Sequence, residues 1–166
     1  MPSREFGKIS SQELSAFKDF LDQKPVPLGK IAKALGIDVI VSSLPPGISG
    51  QISNIQGKFE IRINRNEARE RQRYTLAHEL AHFLLHRDQI SNGTSITDNR
   101  LYRSGAPEQI EYEANRLAAD LIMPDHLIAR DVHRLDGFSL EDALEKLASE
   151  WQVSKTALEI RLSPYI

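Results

Sequence analysis

Apolar residues in the first third of the chain fall into four short patterns separated by breaks. Leu14, Phe17, Phe20 and Leu21 keep helical spacing and predict a helix over about Ser11 to Leu21. Pro25 and Pro27 interrupt it, and Pro27 suits the opening of a short helix that ends at Gly36. Ile37 to Val41 is short and β-branched, which predicts a strand, and Pro45, Pro46 and Gly47 stop it. Gln51 to Ile55 and Lys58 to Asn64 predict a hairpin around Gln56 and Gly57. Phe59, Ile61 and Ile63 alternate with Glu60 and Arg62, so one face is buried and one is wet. This part predicts a helix pair with a small antiparallel sheet of about three strands.

From Asn66 the spacing becomes helical and stays so. One helix is predicted from about Glu67 to about His86. A polar loop containing Asn92 and Gly93 follows, from Arg87 to Gly105. Pro107 with Glu108 suits a helix start, and apolar spacing continues to Met123, where Pro124 stops it. Another helix starts at Asp125. Ser139 with Asp142 resembles a capping box, and Gln152 to Ser154 forms a short turn before a last helix ending near Leu162. The class is α+β.

Composition narrows the picture. The chain has 166 residues, 40% hydrophobic and 27% charged, enough for one compact domain and too apolar for a disordered tail. The net charge of -2 gives no overall positive field for holding nucleic acid. With no Cys, disulfide frameworks, thiolate metal sites and a Cys nucleophile are excluded. The stretch beginning Met1 has no apolar signal core, and no run is long enough to span a bilayer, so a cytoplasmic location is expected.

The chemistry concentrates in His78-Glu79-Leu80-Ala81-His82, an H-E-x-x-H. On a helix, positions four apart share a face, so both imidazoles can reach one ion. Glu79 can reach a water on that ion. Leu76, Ala77, Leu80, Ala81, Phe83, Leu84 and Leu85 occupy every side of this helix, which is therefore buried. Two His and a Glu in such a helix would cost several kcal/mol without partners, and a metal removes that conflict. Two imidazoles and a carboxylate, with one position left for water, suit zinc.

A third protein ligand has several candidates. His86 lies about 12 Å from His78 along the helix axis, too far for one ion, and suits a supporting role or a cation at the helix end. Asp88 lacks the glycine turn that its type of site needs. Asp98 follows Gly93 and Thr94 at a spacing one residue too long. Glu113 shares a stripe with Ile110, Ala114, Leu117, Ala118 and Leu121, and an acid pressed toward a core wants a cation. Its plainer reading is a half-exposed Glu at the stripe's edge.

Arg71 to His86, together with Glu111 to Pro124, resembles the ImmA/IrrE family of zinc metallo-endopeptidases. The stretches around Gly50, Ile61 to Asn64, and Val153 to Leu162 fit as well, so the likeness covers about 25 to 162. Ala81 stands where Gly is usual and Leu117 where Phe is common. The resemblance implies a gluzincin-like site, with His78, His82 and Glu113 holding Zn2+ and Glu79 as the base. The chain is expected to divide into an N-terminal helical segment over 1–24, a zincin-like metallopeptidase core over 25–137 and a helix-turn-helix-like helical subdomain over 138–166 packed on the core. The resemblance also implies a protein substrate, a helix-turn-helix repressor of the phage or stress type encoded nearby.

In the expected reaction, water attacks a peptide carbonyl while Glu79 takes a proton and passes it to the leaving amine. A further oxyanion donor is needed, and Tyr74, Tyr102, Tyr112, His126 and His133 all stay open. The last helical pair has the spacing of a DNA-binding motif. However, Ser139 to Ile166 carries three Lys and Arg against five Asp and Glu, the wrong sign for phosphates, so no direct nucleic-acid binding is expected. Arg62, Arg65, Arg69, Arg71 and Arg73 are interrupted by acids and read as a solvated face, or as a surface for an acidic partner. A second function class stays open, a zinc-binding protein that sequesters its partner without cleaving it.

Overall fold

The computed structural model describes residues 1–99, 108–137 and 139–166, and side chains for all of these except positions 98 and 99. Its elements are α1 (Ser11–Phe17), α2 (Leu28–Ala34), β1 (Asp38–Ser42), β2 (Ile48–Ile55), β3 (Lys58–Asn64), α3 (Arg69–His86), β4 (Ser95–Asn99), α4 (Glu108–Ile122), α5 (Asp125–Asp131), α6 (Leu140–Trp151) and α7 (Lys155–Leu162). The class is α+β, as expected.

Local chemistry explains most boundaries. Ser10 caps α1 by accepting from the Glu13 N–H at 3.2 Å, while its hydroxyl donates to the Glu13 carboxylate at 3.0 Å. The β2–β3 turn puts Gln56 at φ 55° and Gly57 at φ 83°, the left-handed pair that matches strand twist. Gln152 ends α6 in the same left-handed region. The box expected at Ser139 does not form, because its side chain makes no cap hydrogen bond.

The sheet differs from expectation in two ways. It has four strands in the order β1-β3-β2-β4, and β1 runs parallel to β3. The hairpin's return strand thus inserts between β1 and β2, pairing Ile61 with Ile52 on one side and Val39 on the other. The fourth strand came from the loop read as polar. Ile96 faces Ile52, but backbone bonds do most of the holding: the Gly93 N–H reaches the Asn54 carbonyl at 2.8 Å, and the Asn54 N–H reaches the Thr94 carbonyl at 3.1 Å.

α3 lies on this sheet at close range. A Cβ on Gly50 would stand 2.6 Å from the Arg62 carbonyl oxygen and 2.6 Å from the Thr75 Cγ2. Glycine at that point lets α3 sit down on β2. Fully buried Ile52 and Ile61 from the sheet, Leu80 from α3, Leu117 and Leu121 from α4, and Ile31 from α2 belong to one continuous core.

Residues 1–8 form a strap along α4 and the start of α5. The Met1 amine meets Asp125 at 2.8 Å, and the Ser3 N–H donates to Asp120 at 3.0 Å. Arg116 donates to Glu5 at 2.7 and 3.0 Å, and Lys8 donates to Glu113 at 3.3 Å. At the other end of the chain, buried Trp151 donates its indole N–H to Asp131 at 2.8 Å. Arg161 of α7 donates to Asp120 at 2.9 Å and to the Met123 carbonyl at 3.0 Å.

Candidate metal centre

α3 carries the H-E-x-x-H and buries it: His78, Glu79, His82 and His86 are each at most 5% exposed. α4 lies antiparallel against this face. The Tyr74 hydroxyl donates to the Asn115 side-chain oxygen at 2.5 Å, and one turn further along His78 meets Glu111. Two pairs spaced four residues on each helix form one seam.

That seam brings His78, His82 and Glu111 together. His78 Nε2 lies 3.1 Å from one Glu111 oxygen, and His82 Nε2 lies 3.0 Å from the other. One ligand atom from each residue fits within 4.8 Å of the others. The two imidazole rings stand nearly perpendicular, with centroids 4.7 Å apart, and both Nε2 atoms face the Glu111 carboxylate. His82 Nε2 and Glu111 Oε1 are both buried without a hydrogen-bond partner among the described residues. A buried carboxylate oxygen and a buried imidazole nitrogen facing one another at this range fit a cation.

The electrostatics agree. Burial pushes the His82 imidazole below its ordinary pKa, against a partial upward pull from Glu111, so its lone pair is available at neutral pH. Burial alone would raise the Glu111 carboxyl, but the contacts to His78 and His82 outweigh it and hold Glu111 well below the usual carboxylate range.

Glu113, the acid expected here, is elsewhere. Its Oε1 lies 3.0 Å from His86 Nε2 and its Oε2 lies 3.3 Å from Lys8 Nζ. The reason is helical geometry: at about 100° per residue, positions 111 and 113 point about 200° apart and cannot face the same atoms. The stripe through Ala114, Leu117, Ala118 and Leu121 is buried as expected, but its edge residue toward α3 is Glu111. The missed signal is the four-residue spacing of Glu111 and Asn115, which matches that of Tyr74 and His78.

The remaining candidates separate cleanly. His86 lies against His82, with the two Nδ1 atoms 2.9 Å apart. Asp88 is exposed in the turn after α3. The side chain of Asp98 and all of Tyr102 lie outside the described residues. Among the expected oxyanion donors, Tyr74 has its ring 6.1 Å from that of His78. Tyr112 is 59% exposed, and His126 pairs with Asp22 at 2.8 Å. Of the basic run, Arg73 is no solvated residue: burial lowers its pKa, and it donates to the Val26 carbonyl at 3.1 Å.

Comparison with known proteins identifies the family. Residues 32–163 match the Peptidase_M78 family model, described as an IrrE N-terminal-like domain. The chain belongs to this family. It is also similar to metallopeptidase ImmA of Bacillus subtilis (strain 168), with 23% identity over 115 residues. That alignment covers 69% of this chain and 63% of the relative, so the chain spans rather less than two thirds of the relative's length. No helix among the described residues is long and apolar enough to cross a membrane.

Proposed function

We propose that this chain is a zinc-dependent endopeptidase. His78 and His82 hold the ion through Nε2, and Glu111 holds it through its carboxylate. The carrying observation is the convergence of these three groups in a buried seam, with His82 Nε2 and Glu111 Oε1 left unsatisfied. Two nitrogens and a carboxylate favour zinc over the oxygen-loving alkaline-earth ions. Bound there, zinc supplies a Lewis acid and a water whose pKa falls toward neutrality.

The chain's own groups do the rest. Glu79, fully buried and next to His78 in α3, accepts a proton from the attacking water and returns it to the leaving amine. Burial of both histidines and of Glu79 keeps the dielectric low where charge develops. The Tyr74 hydroxyl, beside His78 and now donating to Asn115, is the donor placed to reach an oxyanion.

The substrate we propose is a helix-turn-helix repressor of the phage or stress type, cleaved in the cytoplasm, as the resemblance implies. Residues 25–137 form the catalytic core, with 1–24 and 138–166 packed as helical appendages. The test is incubation with the repressor of the neighbouring gene, with and without chelator. Chelator-sensitive fragments are expected from the wild-type chain. Glu79→Gln keeps zinc and produces none, and His78→Ala loses both. A wild-type chain that binds the repressor and leaves it intact with zinc present would make the protein a sequestering partner.

A further inference from the structure

The expected ligand Glu113 has a different place in the seam. From His82 the contacts run outward in a line. His82 Nδ1 is 2.9 Å from His86 Nδ1, His86 Nε2 is 3.0 Å from Glu113 Oε1, and Glu113 Oε2 is 3.3 Å from Lys8 Nζ. Resting on the metal reading above, we infer that His86 and Glu113 form a positioning relay that holds His82 with its Nε2 lone pair aimed at the ion site, and that Lys8 anchors its outer end.

Proton counting fixes the direction. A carboxylate can only accept, so His86 Nε2 carries the hydrogen that faces Glu113. His86 Nδ1 is then a bare acceptor, and the hydrogen between the two rings sits on His82 Nδ1. His82 Nε2 then turns its lone pair toward a Glu111 oxygen 3.0 Å away, a pairing that a cation between them satisfies and that the Glu111 carboxylate, itself only an acceptor, opposes in the absence of one. The opposite assignment puts the lone pair of His86 Nε2 against the Glu113 carboxylate, a repulsive contact. The relay therefore supports the tautomer that a metal needs from the Nδ1 side, against the pull of Glu111 on the Nε2 side.

The line reaches beyond the family's shared span. Lys8 lies in the strap, outside residues 32–163, and its side chain is 52% exposed. His86 is 5% exposed. The inner link is thus the strong one, and the outer link is screened by water. His86 and Glu113 touch no substrate in this account; they act through His82.

The experiment reads zinc affinity by competition with a chromophoric chelator. His86→Leu fills the space without an acceptor and should weaken zinc binding by ~10- to 100-fold. His86→Asn returns an oxygen near the position of Nδ1 and should recover most of the loss. Lys8→Met should cost no more than about 5-fold. A packing role predicts the reverse order, with leucine tolerated and asparagine harmful. Should His86→Leu fail to fold, judged by the near-ultraviolet signal of Trp151, Glu113→Leu at the outer end decides, with a loss of ~10-fold or more expected. A folded His86→Leu or Glu113→Leu with undiminished affinity overturns the relay. A wild-type chain that takes up no zinc defeats the metal reading itself.

Discussion

Replacing Glu5 with Gln isolates what the N-terminal strap contributes to the helix that carries Glu111. Glu5 is fully buried, and its two oxygens accept from Arg116 Nε at 3.0 Å and Nη2 at 2.7 Å, a bidentate pair. The Arg116 hydrogen bonds outweigh the opposing effect of burial and hold the carboxyl at about 2 rather than 4.5. Taken at face value, that difference corresponds to about 3 kcal/mol. The Arg116 side chain is 36% exposed, so screening by water brings the expected contribution to about 1–2 kcal/mol. The sign follows from proton uptake. Between about pH 4.5 and 2 the unfolded chain binds a proton at this position that the folded chain refuses. The contribution is therefore complete above that window and fades as pH falls through it. Urea unfolding of wild type and Glu5→Gln at neutral pH should differ by about 1–2 kcal/mol, and the gap should narrow at about pH 3. A gap of unchanged size at both pH values would refute the reasoning, because burial of a neutral amide costs the same throughout.

Three further outcomes follow from the seam and the sheet. Glu111→Gln should weaken zinc binding by more than ~100-fold, while Glu113→Gln should stay within the ~10- to 100-fold expected of a group acting through a ligand, both read by chelator competition; equal losses would undo the assignment of the two acids. Removing metal with a chelator should lower the melting temperature by about 10 °C when the ion is present at ~1,000 times its dissociation constant, and an unchanged melting curve would contradict a resident ion. Gly50→Ala puts a methyl 2.6 Å from the Arg62 carbonyl and from Thr75 Cγ2, and should cost about 1–3 kcal/mol in thermal unfolding. Its loss of metal affinity should exceed that of a surface substitution of equal cost, since the strain falls on α3; parallel losses would show that α3 moves without consequence.

The fold was readable where local chemistry decides it. The hairpin at Gln56 and Gly57 and the buried face of Ile61 and Ile63 depend on neighbours within a few residues, and both formed as expected. β4 was not readable, because Ile96 is its one apolar residue with a described, buried side chain, and the strand exists through backbone pairing with β2. The parallel pairing of β1 with β3 was equally hidden, since β-branched runs do not state direction. Ser139 and Asp142 show the opposite failure: Asp stands where a capping box has Glu or Gln, and Ser139 makes no cap bond. Ser10, with Glu13 three residues on, bonds both the Glu13 N–H and its carboxylate.

The clustered groups include Glu111 where Glu113 was expected, and helix rotation accounts for the difference. A histidine pair four apart declares its own face, so His78 and His82 needed no partner to be found. The third group comes from another helix, and its identity depends on how that helix is rotated. The stripe of Ile110, Ala114, Leu117 and Leu121 sets the rotation, and an acid within a stripe was taken as the one facing α3. The residue that faces α3 must instead continue the contact row of its helix, and that row is Glu111 and Asn115 against His78 and Tyr74. Glu113 was drawn toward the core for a separate reason: it is the acceptor at the end of the His86 contact, which no spacing in α4 alone could reveal. Two acids of one helix thus reach the same histidine from opposite ends, Glu111 at Nε2 of His82 and Glu113 through His86 at Nδ1. Removing the first would take a carboxylate from the Nε2 side of His82, and removing the second would leave His86 without the acceptor that holds it on the Nδ1 side.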